Sequence, residues 1–157
     1  MVISRKTRPS GEDAVTIDRV QIKTTDNMKL LGVTIDQKLT FTEHISTACK
    51  RASSRVGVLM RLRKLIPDTA KLRIFKAAIL PYLSYCGLTW HFCRKTDSNK
   101  LERVNERGLR AVYNDWSSPY RELVNRAKMT LYNRRLQDIA ILMFKGLCQK
   151  TFPNFSE

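Results

Sequence analysis

The chain has 157 residues, 43% of them hydrophobic, which is long enough for a modest core and too apolar for a disordered chain. Lys and Arg number 29 against 14 Asp and Glu, and the net charge of +15 favours a polyanionic partner, either nucleic acid or an anionic membrane surface. No apolar stretch is long enough to span a membrane, and the first residues lack a secretory signal. Four cysteines are too few for a disulfide framework. We therefore expect an intracellular protein.

The first 36 residues predict short β-strands. Apolar and polar residues alternate in "AVTIDRVQIK" and again in "KLLGVTID", and the polar "TTDN" supplies a turn between them. In the second run Leu31, Val33 and Ile35 alternate with other residues, which places Gly32 at the centre of a predicted strand. A glycine inside a strand indicates a bulge or the close approach of another backbone.

After Ile35 the apolar spacing changes to three and four residues, which predicts a helix from Phe41 to about Leu65. Thr40 and Glu43 have the spacing of a capping box at its start. Pro67 is expected to end this helix, with Asp68 as the cap of the next. Its apolar face is expected to contain Phe41, Ile45, Cys49, Ala52, Val56, Leu59 and Met60.

Four more helices are predicted. The second covers residues 69–90 and should kink or break at Pro81. The third covers about Ser98–Tyr113. The fourth begins with Ser118 as its cap and Pro119 at its first helical position. The fifth begins near residue 131, with a buried side formed by Leu131, Leu136, Ile139, Ala140, Leu142 and Met143. The expected fold class is α+β, with short N-terminal strands followed by a mainly α-helical bundle of about five helices.

The positive charge is concentrated in the first helices. Residues 41–114 carry a net charge of +10, against +2 for residues 1–40 and +3 for residues 115–157. Lys50, Arg61 and Lys64 fall away from the apolar face of the first helix, while Arg51 and Arg55 flank it. This concentration favours contact with nucleic acid. A membrane-surface helix is disfavoured because the helical bundle needs the same apolar face.

The sequence contains few residues that could form a catalytic or metal-binding motif. Glu12 and Asp13 are adjacent acids, but they lie beside Pro9 and Gly11, where a solvated turn is favoured over a metal site. There is no Gly-rich phosphate loop and no recognisable nucleophile motif. The sequence therefore predicts no catalytic residue and no metal ligand.

The stretch "YCGLTWHFC" brings Cys86, His91 and Cys93 close together in sequence, but without the paired spacing of a zinc finger. A fourth ligand would have to come from Cys49, Cys148 or His44. The favoured interpretation is that Cys86, Trp90 and Phe92 are core residues and that His91 is partly exposed.

Several segments, in order, resemble the C-terminal part of a non-LTR retrotransposon reverse transcriptase of the jockey-like or LINE-like group. The resemblance covers about residues 1–148 and is carried by "KLLGVTIDQKLTFTEHI", "RASSRVGVLMRLRKLI", "KAAILPYLSYCGLTWHFC", "KLERVNERGLRAVYND" and "LYNRRLQDIAILMFK".

The resemblance implies a layout. Residues 1–38 would be the last strands of the polymerase palm, 39–150 the helical thumb and 151–157 a frayed tail. Leu31, Gly32 and Val33 would belong to the primer grip, which positions the DNA primer. The thumb would meet an RNA–DNA hybrid or DNA duplex independently of its sequence, and the backbone contacts would come from Lys50, Arg51, Arg55, Arg61, Arg63 and Lys64.

The catalytic motif of this family, an aromatic residue, any residue and two aspartates, does not occur in the chain. The resemblance places it upstream, with the rest of the palm and the fingers, so the Mg²⁺ ions of the parent polymerase would not bind here and we expect no DNA synthesis by this chain alone. A parent element that copies itself at chromosomal DNA implies a nuclear location. The alternative is a domesticated, non-catalytic module that binds nucleic acid or protein.

Overall fold

Four short strands pair as two antiparallel hairpins in the computed structural model, which describes residues 15–17, 19–22, 25–129 and 131–148. The strands are β1 (Val15–Ile17), β2 (Val20–Ile22), β3 (Asn27–Leu30) and β4 (Val33–Asp36). β1 pairs with β2, and β3 pairs with β4. The predicted frayed tail at 151–157 lies outside the described residues.

The turn of the β3–β4 hairpin corrects the prediction for Gly32. Leu30 pairs with Val33, so Leu31 and Gly32 form a two-residue turn and Gly32 is not inside a strand. Their φ angles are 46° and 86°. A tight hairpin of this kind requires positive φ at both central residues, which glycine adopts without steric cost. The alternating pattern runs through the turn, and this is why periodicity alone missed it.

The remaining described elements are helical and confirm the α+β class. They are α1 (Thr42–Leu62), α2 (Asp68–Ile74), α3 (Leu80–Ser84), α4 (Lys95–Tyr113), α5 (Tyr120–Ala127) and α6 (Leu131–Cys148). A π-helical turn at Phe75–Ile79 joins α2 to α3. These two helices therefore form one interrupted helix, and the described residues contain five helical units, as predicted.

Pro81 explains the interruption between α2 and α3. It lies in the first turn of α3, and because it has no backbone N–H it cannot continue the helical hydrogen-bond ladder. The predicted extension to Trp90 is wrong, since α3 ends at Ser84 and residues 85–92 form turns. The chain leaves the helix at Tyr85, with a ψ of 127°, and Cys86 has a positive φ of 48°.

The helix starts differ from the predicted caps. Pro67 and Pro119 occupy the positions preceding α2 and α5, with extended ψ angles of 156° and 145°. Asp68 is instead the first residue of α2 and forms an ion pair of 2.8 Å with Lys71. Ser118 is not the cap of α5, and α4 begins at Lys95, before the predicted start. Proline takes these positions because its fixed φ suits a chain that enters a helix.

The core forms mainly where α1 lies along α4. The predicted apolar faces of both helices are confirmed, and each fully buried aliphatic side chain stabilises the fold by about 1.5–3 kcal/mol. The buried residues of these two helices include Ile45, Cys49, Ala52, Val56, Leu59, Leu101, Val104, Leu109 and Val112.

The predicted buried side of α6 is wrong. Leu131 is buried, but further along the helix Leu136, Leu142 and Met143 are 40%, 47% and 61% exposed. The N-terminal half of α6 also buries Arg135, which is 4% exposed. Amphipathic periodicity identifies an apolar face but does not show whether another element covers it. Within the described residues the C-terminal half of α6 has no such cover.

Candidate nucleic-acid interface

The β3–β4 hairpin presents the three predicted primer-grip residues in different environments. Leu31 is 84% exposed at the turn, whereas Val33 is 5% exposed and packs inward. Gly32 follows Leu31 in the turn. Val33 therefore anchors the hairpin to the helical part, and only the two turn residues lie where a ligand can reach them.

Tyr85 holds the hairpin turn against the end of α3. Its hydroxyl donates a hydrogen bond of 2.8 Å to the carbonyl oxygen of Leu31. A Cβ added to Gly32 would meet the Tyr85 ring at 3.5 Å, which is ordinary van der Waals contact. The need for glycine thus arises from its φ of 86° and not from lack of space. Valine, which suits a strand, would be strained here. No sequence motif pointed to Tyr85.

The predicted capping box at the start of α1 does not form. Asp36 accepts hydrogen bonds from the backbone N–H groups of Lys38, Thr40 and Phe41 at 2.7–3.1 Å, and the Thr40 hydroxyl donates to it at 3.0 Å. Phe41, with a φ of 56°, precedes the helix in place of Thr40. Glu43 instead accepts a hydrogen bond of 2.6 Å from the Asn27 amide.

Asp36 therefore fixes the connection between the hairpin and α1. Burial opposes its ionisation, but the hydrogen bonds from Thr40, Phe41 and Lys38 hold its pKa below the usual value. A carboxylate that accepts several backbone N–H groups is stabilised in its charged form. These hydrogen bonds fix the six residues from Asp36 to Phe41, which join the hairpin to α1.

Three cations predicted to contact nucleic acid share the solvent side of α1. Lys50, Arg51 and Arg61 are exposed, and the helix buries the opposite side against α4. Lys50 and Arg61 lie about 20° apart around the helix axis and about 16 Å apart along it. Lys64 is exposed just beyond the end of α1. We call these four residues the α1 basic surface.

Of the other two predicted cations, Arg55 has a side-chain partner within the fold and Arg63 is half-buried. Arg55 donates a hydrogen bond of 2.7 Å to the Tyr82 hydroxyl, and its guanidinium lies 4.6 Å from the centre of that ring. Arg63 is half-buried, and its carbonyl oxygen accepts a hydrogen bond of 3.2 Å from the buried Lys71 ammonium. Arg55 is therefore held at the edge of the α1 basic surface by Tyr82.

Gly57 is a feature of this surface that the sequence reading missed. It lies in the middle of α1, about 20° around the axis from Lys50, on the side opposite to the core. A Cβ at this position would meet nothing within 4 Å. Glycine inside a helix costs about 1 kcal/mol relative to alanine. Internal packing does not account for this cost, whereas the close approach of a ligand backbone would.

The zinc hypothesis finds no support in the described residues, in which no three His, Cys, Asp or Glu side chains are grouped as a metal site would require. Trp90 is 2% exposed, as predicted, and Cys86 is half-buried, but Phe92 is 92% exposed, so its assignment to the core is wrong. No described helix is long and apolar enough to cross a membrane.

Three curated relatives are similar to this chain over most of its length. The RNA-directed DNA polymerase from mobile element jockey of Drosophila melanogaster is 28% identical over 116 residues, which cover 71% of this chain. Its counterpart from Drosophila funebris is 24% identical and covers 80% of this chain. The probable RNA-directed DNA polymerase from transposon BS of Drosophila melanogaster is 25% identical and covers 70%.

The chain resembles a segment of the jockey RNA-directed DNA polymerases. The resemblance indicated by the sequence motifs is thereby confirmed. The matched segments make up 13% and 14% of the two jockey polymerases and 12% of the transposon BS protein, so this chain corresponds to a small part of each. No protein-family model and no solved structure matches it.

Proposed function

We propose that this chain is a segment of a mobile-element RNA-directed DNA polymerase that holds the primer and the template–primer duplex through backbone contacts. Two kinds of observation support this proposal. The named relatives are polymerases of this class. The single structural observation that carries it is the α1 basic surface, which faces solvent directly after the β3–β4 hairpin.

The spacing of the α1 basic surface suits a nucleic-acid backbone. Lys50 and Arg61 are separated by about 16 Å along α1, so one face of the helix can contact two separate phosphates. Gly57 lies between them and leaves room for a phosphate backbone. Contacts to phosphates fix position without reading bases, and a polymerase requires this because it must accept every sequence.

The hairpin turn would supply the contact with the primer. Leu31 is exposed and Gly32 has no side chain, so a sugar–phosphate backbone could pass close to the turn. Tyr85 holds the Leu31 carbonyl in place. In this proposal the turn positions the primer end, while the α1 basic surface holds the duplex that follows it.

The proposal does not extend to catalysis by this chain. No pair of adjacent aspartates occurs in its sequence, and two Mg²⁺ ions need clustered carboxylates. A mixture of the chain, Mg²⁺, a primer annealed to RNA, and nucleotides should give no extended product. Primer extension by the pure chain would overturn this part of the proposal.

The salt dependence of binding tests the α1 basic surface. Four phosphate contacts predict that log K falls against log salt with a slope of about −3.6 on duplex DNA, and affinity roughly in the 10⁻⁴ to 10⁻⁶ M range at physiological salt. An RNA–DNA hybrid should show a slope of the same sign. The measurement is fluorescence anisotropy of a labelled duplex over a series of salt concentrations.

A charge-matched pair of variants makes this test specific. Replacing Lys50 and Arg61 by Gln should reduce the slope by about 1.8 units. Replacing Arg103 and Arg107, two exposed cations of α4, removes the same charge elsewhere and should change the slope less. Equal effects of the two pairs, or an affinity that does not depend on salt, would refute the α1 basic surface as the duplex contact.

The second candidate function is that of a domesticated module that binds nucleic acid or protein, and the exposed half of α6 favours it. Ile141, Met143 and Phe144 are 53%, 61% and 65% exposed. Ile141 also lines a cleft of about 650 Å³ between α5 and α6, together with Lys128 and Arg134. The genomic DNA upstream of the coding region distinguishes the two candidates. A reading frame that encodes the aspartate pair favours a mobile element, for which we propose a nuclear location. A host promoter favours the domesticated module.

A further inference from the structure

Three aromatic rings form an exposed cluster at the junction between α6 and the turns that follow α3. The His91 ring contacts Phe92 edge-on, with centroids 5.1 Å apart. It also lies against Tyr132 of α6 at 5.8 Å, tilted by 31°. We call these three residues the aromatic cluster. It is separate from the hairpin and the α1 basic surface in sequence, and the family resemblance assigns it no role.

The cluster presents its outer rings to solvent. Phe92 is 92% exposed and Tyr132 is 53% exposed, while His91 between them is half-buried. Exposing an aromatic ring to water forfeits the stabilisation that its burial would provide. One exposed ring is ordinary on a protein surface, but a contiguous group of rings is typical of a binding site.

The chain around the cluster is well fixed. The indole N–H of the buried Trp90 donates a hydrogen bond of 2.9 Å to the Tyr85 carbonyl oxygen, and the Cys93 N–H donates one of 3.0 Å to the Trp90 carbonyl oxygen. The buried guanidinium of Arg135 lies 5.2 Å from the centre of the Trp90 ring. Phe92 is therefore displayed on an ordered turn between two anchored residues.

The charged residues nearest to the cluster in sequence are positive. Arg94 and Lys95 are exposed and lie two and three residues after Phe92, and the buried Arg135 lies one helical turn from Tyr132 on α6. The nearest acid in sequence, Asp97, is buried and paired with Lys100 at 2.7 Å. An exposed ring beside cations suits nucleic acid, because every nucleotide has a base whose face stacks on an aromatic ring and a phosphate that attracts the cations.

We propose that the aromatic cluster stacks an unpaired nucleobase of single-stranded nucleic acid, while Arg94 and Lys95 bind the neighbouring phosphates. Phe92 supplies the stacking face, its ring packs against His91, and His91 in turn lies against Tyr132. This single-strand site does not depend on the α1 basic surface, which the proposed function assigns to the duplex backbone. Stacking carries no sequence information, so no preference among bases is required.

The test compares two labelled 12-nucleotide probes in anisotropy titrations of the full chain. One is oligo(dT), and the other has the same phosphates but abasic spacers in place of all the bases. Phe92→Ala should weaken oligo(dT) binding by about 5- to 150-fold, the range expected for one stacked base. It should leave the binding of the abasic probe unchanged. Trp116→Ala, at an exposed aromatic on the loop after α4, is the control and should change neither affinity.

Two further variants distinguish stacking from other contacts. Phe92→Tyr keeps an aromatic face and should retain the affinity for oligo(dT), whereas Phe92→Leu keeps an apolar side chain without the ring and should lose it. Because Phe92 is 92% exposed, none of these changes should disturb folding. Full affinity in Phe92→Leu would refute stacking, and so would equal losses on the two probes.

An unchanged affinity for oligo(dT) in Phe92→Ala would also overturn the proposal and leave the cluster as a surface for protein contact. Replacing Arg94 and Lys95 together by Gln should weaken both probes to the same extent, because only phosphates are involved. This outcome is independent of the duplex experiment. If that experiment showed that the α1 basic surface does not bind duplex, the expected difference between oligo(dT) and the abasic probe would be unaffected.

Discussion

The hydroxyl of Tyr85 donates a hydrogen bond of 2.8 Å to the carbonyl oxygen of Leu31 and so joins the end of α3 to the turn of the β3–β4 hairpin. The other end of the hairpin is held at Asn27, whose amide bonds to Glu43 at 2.6 Å. A two-stranded hairpin is marginally stable by itself in water. Its contacts with the helices therefore determine how firmly the proposed primer-contacting turn is held.

Tyr85→Phe tests the contact at the turn. It removes the hydrogen bond and keeps the ring, and we expect a loss in the free energy of unfolding of about 0.5–1.5 kcal/mol, toward the lower limit because Tyr85 is 52% exposed. Amide hydrogen exchange should become faster in the hairpin. Tyr113→Phe is the control, since its ring contact with Arg126 does not involve the hydroxyl. Unchanged exchange in the hairpin would show that the Tyr85 hydroxyl does not hold the turn.

Leu31→Asn should stabilise the chain. Leu31 has a φ of 46° and is 84% exposed, so it carries backbone strain without a compensating burial. Left-handed conformations cost most L-residues about 1–2 kcal/mol, and Asn-Gly is the preferred pair for this turn. We expect a gain of about 1 kcal/mol in urea denaturation. Leu30→Asn, in the adjoining strand, should instead destabilise, because asparagine is disfavoured in strands.

If Leu31 contacts the primer, the stabilised variant should also bind a primer–template duplex more weakly. Strain retained at an exposed residue is typical of functional sites. A gain in stability with undiminished binding would argue against Leu31 as part of the primer contact. A loss of stability would contradict the turn geometry itself.

The helices that could be predicted from the sequence are those whose apolar residues recur at the helical period and are buried against another element. The faces of α1 and α4 follow from residues such as Ile45, Val56 and Leu101, because burial on one side of a helix requires apolar residues at that spacing. The break at Pro81 follows from its missing N–H. Both features follow from residue types and their spacing along the chain.

The features that were missed depend on what lies opposite a residue in space. Gly32 continues an alternating pattern, and only the pairing of β3 with β4 shows that it lies in a turn. Leu142 has the period of a buried residue, but no described element covers it. Arg55 looks like a free cation in the sequence, yet Tyr82, 27 positions later, binds it. The α1 basic surface was found from charge, whereas Tyr85 required the tertiary contact.

The stability of the chain should fall as the pH drops below about 6.5, the ordinary pKa of histidine. Burial, together with the charge of Arg51, lowers the pKa of His44 in the folded state. The unfolded chain then takes up a proton that the folded chain does not, so protonation favours unfolding. His44 is buried, and its Nδ1 accepts a hydrogen bond of 3.4 Å from the Thr34 N–H, which requires the nitrogen to be unprotonated.

Urea denaturation at pH 7.5, 6.5 and 5.5 checks this expectation. The free energy of unfolding should decrease most between the last two values, and His44→Gln, which cannot gain a proton in this range, should show a smaller decrease. Equal decreases in both proteins would place the pH sensitivity elsewhere.

Gly108 and Gly57 lie inside helices, and replacing each by alanine should have opposite effects. A Cβ on Gly108 would lie 2.2 Å from a Phe75 ring carbon, so the π-helical turn at Phe75–Ile79 packs directly on the backbone of α4. Phe75 is fully buried and has little room to move. Gly108→Ala should therefore destabilise by about 1–3 kcal/mol through overpacking, despite the better helix propensity of alanine.

Gly57→Ala should stabilise by up to about 1 kcal/mol, because alanine is the better helix former and nothing lies within 4 Å of the added methyl group. Thermal or urea denaturation of the two variants measures both effects. If Gly57 leaves room for a phosphate backbone, the same variant should bind duplex DNA more weakly although it is more stable. Increased stability with unchanged duplex affinity would show that Gly57 is not part of the contact, and a destabilising effect would contradict the open position of this residue on α1.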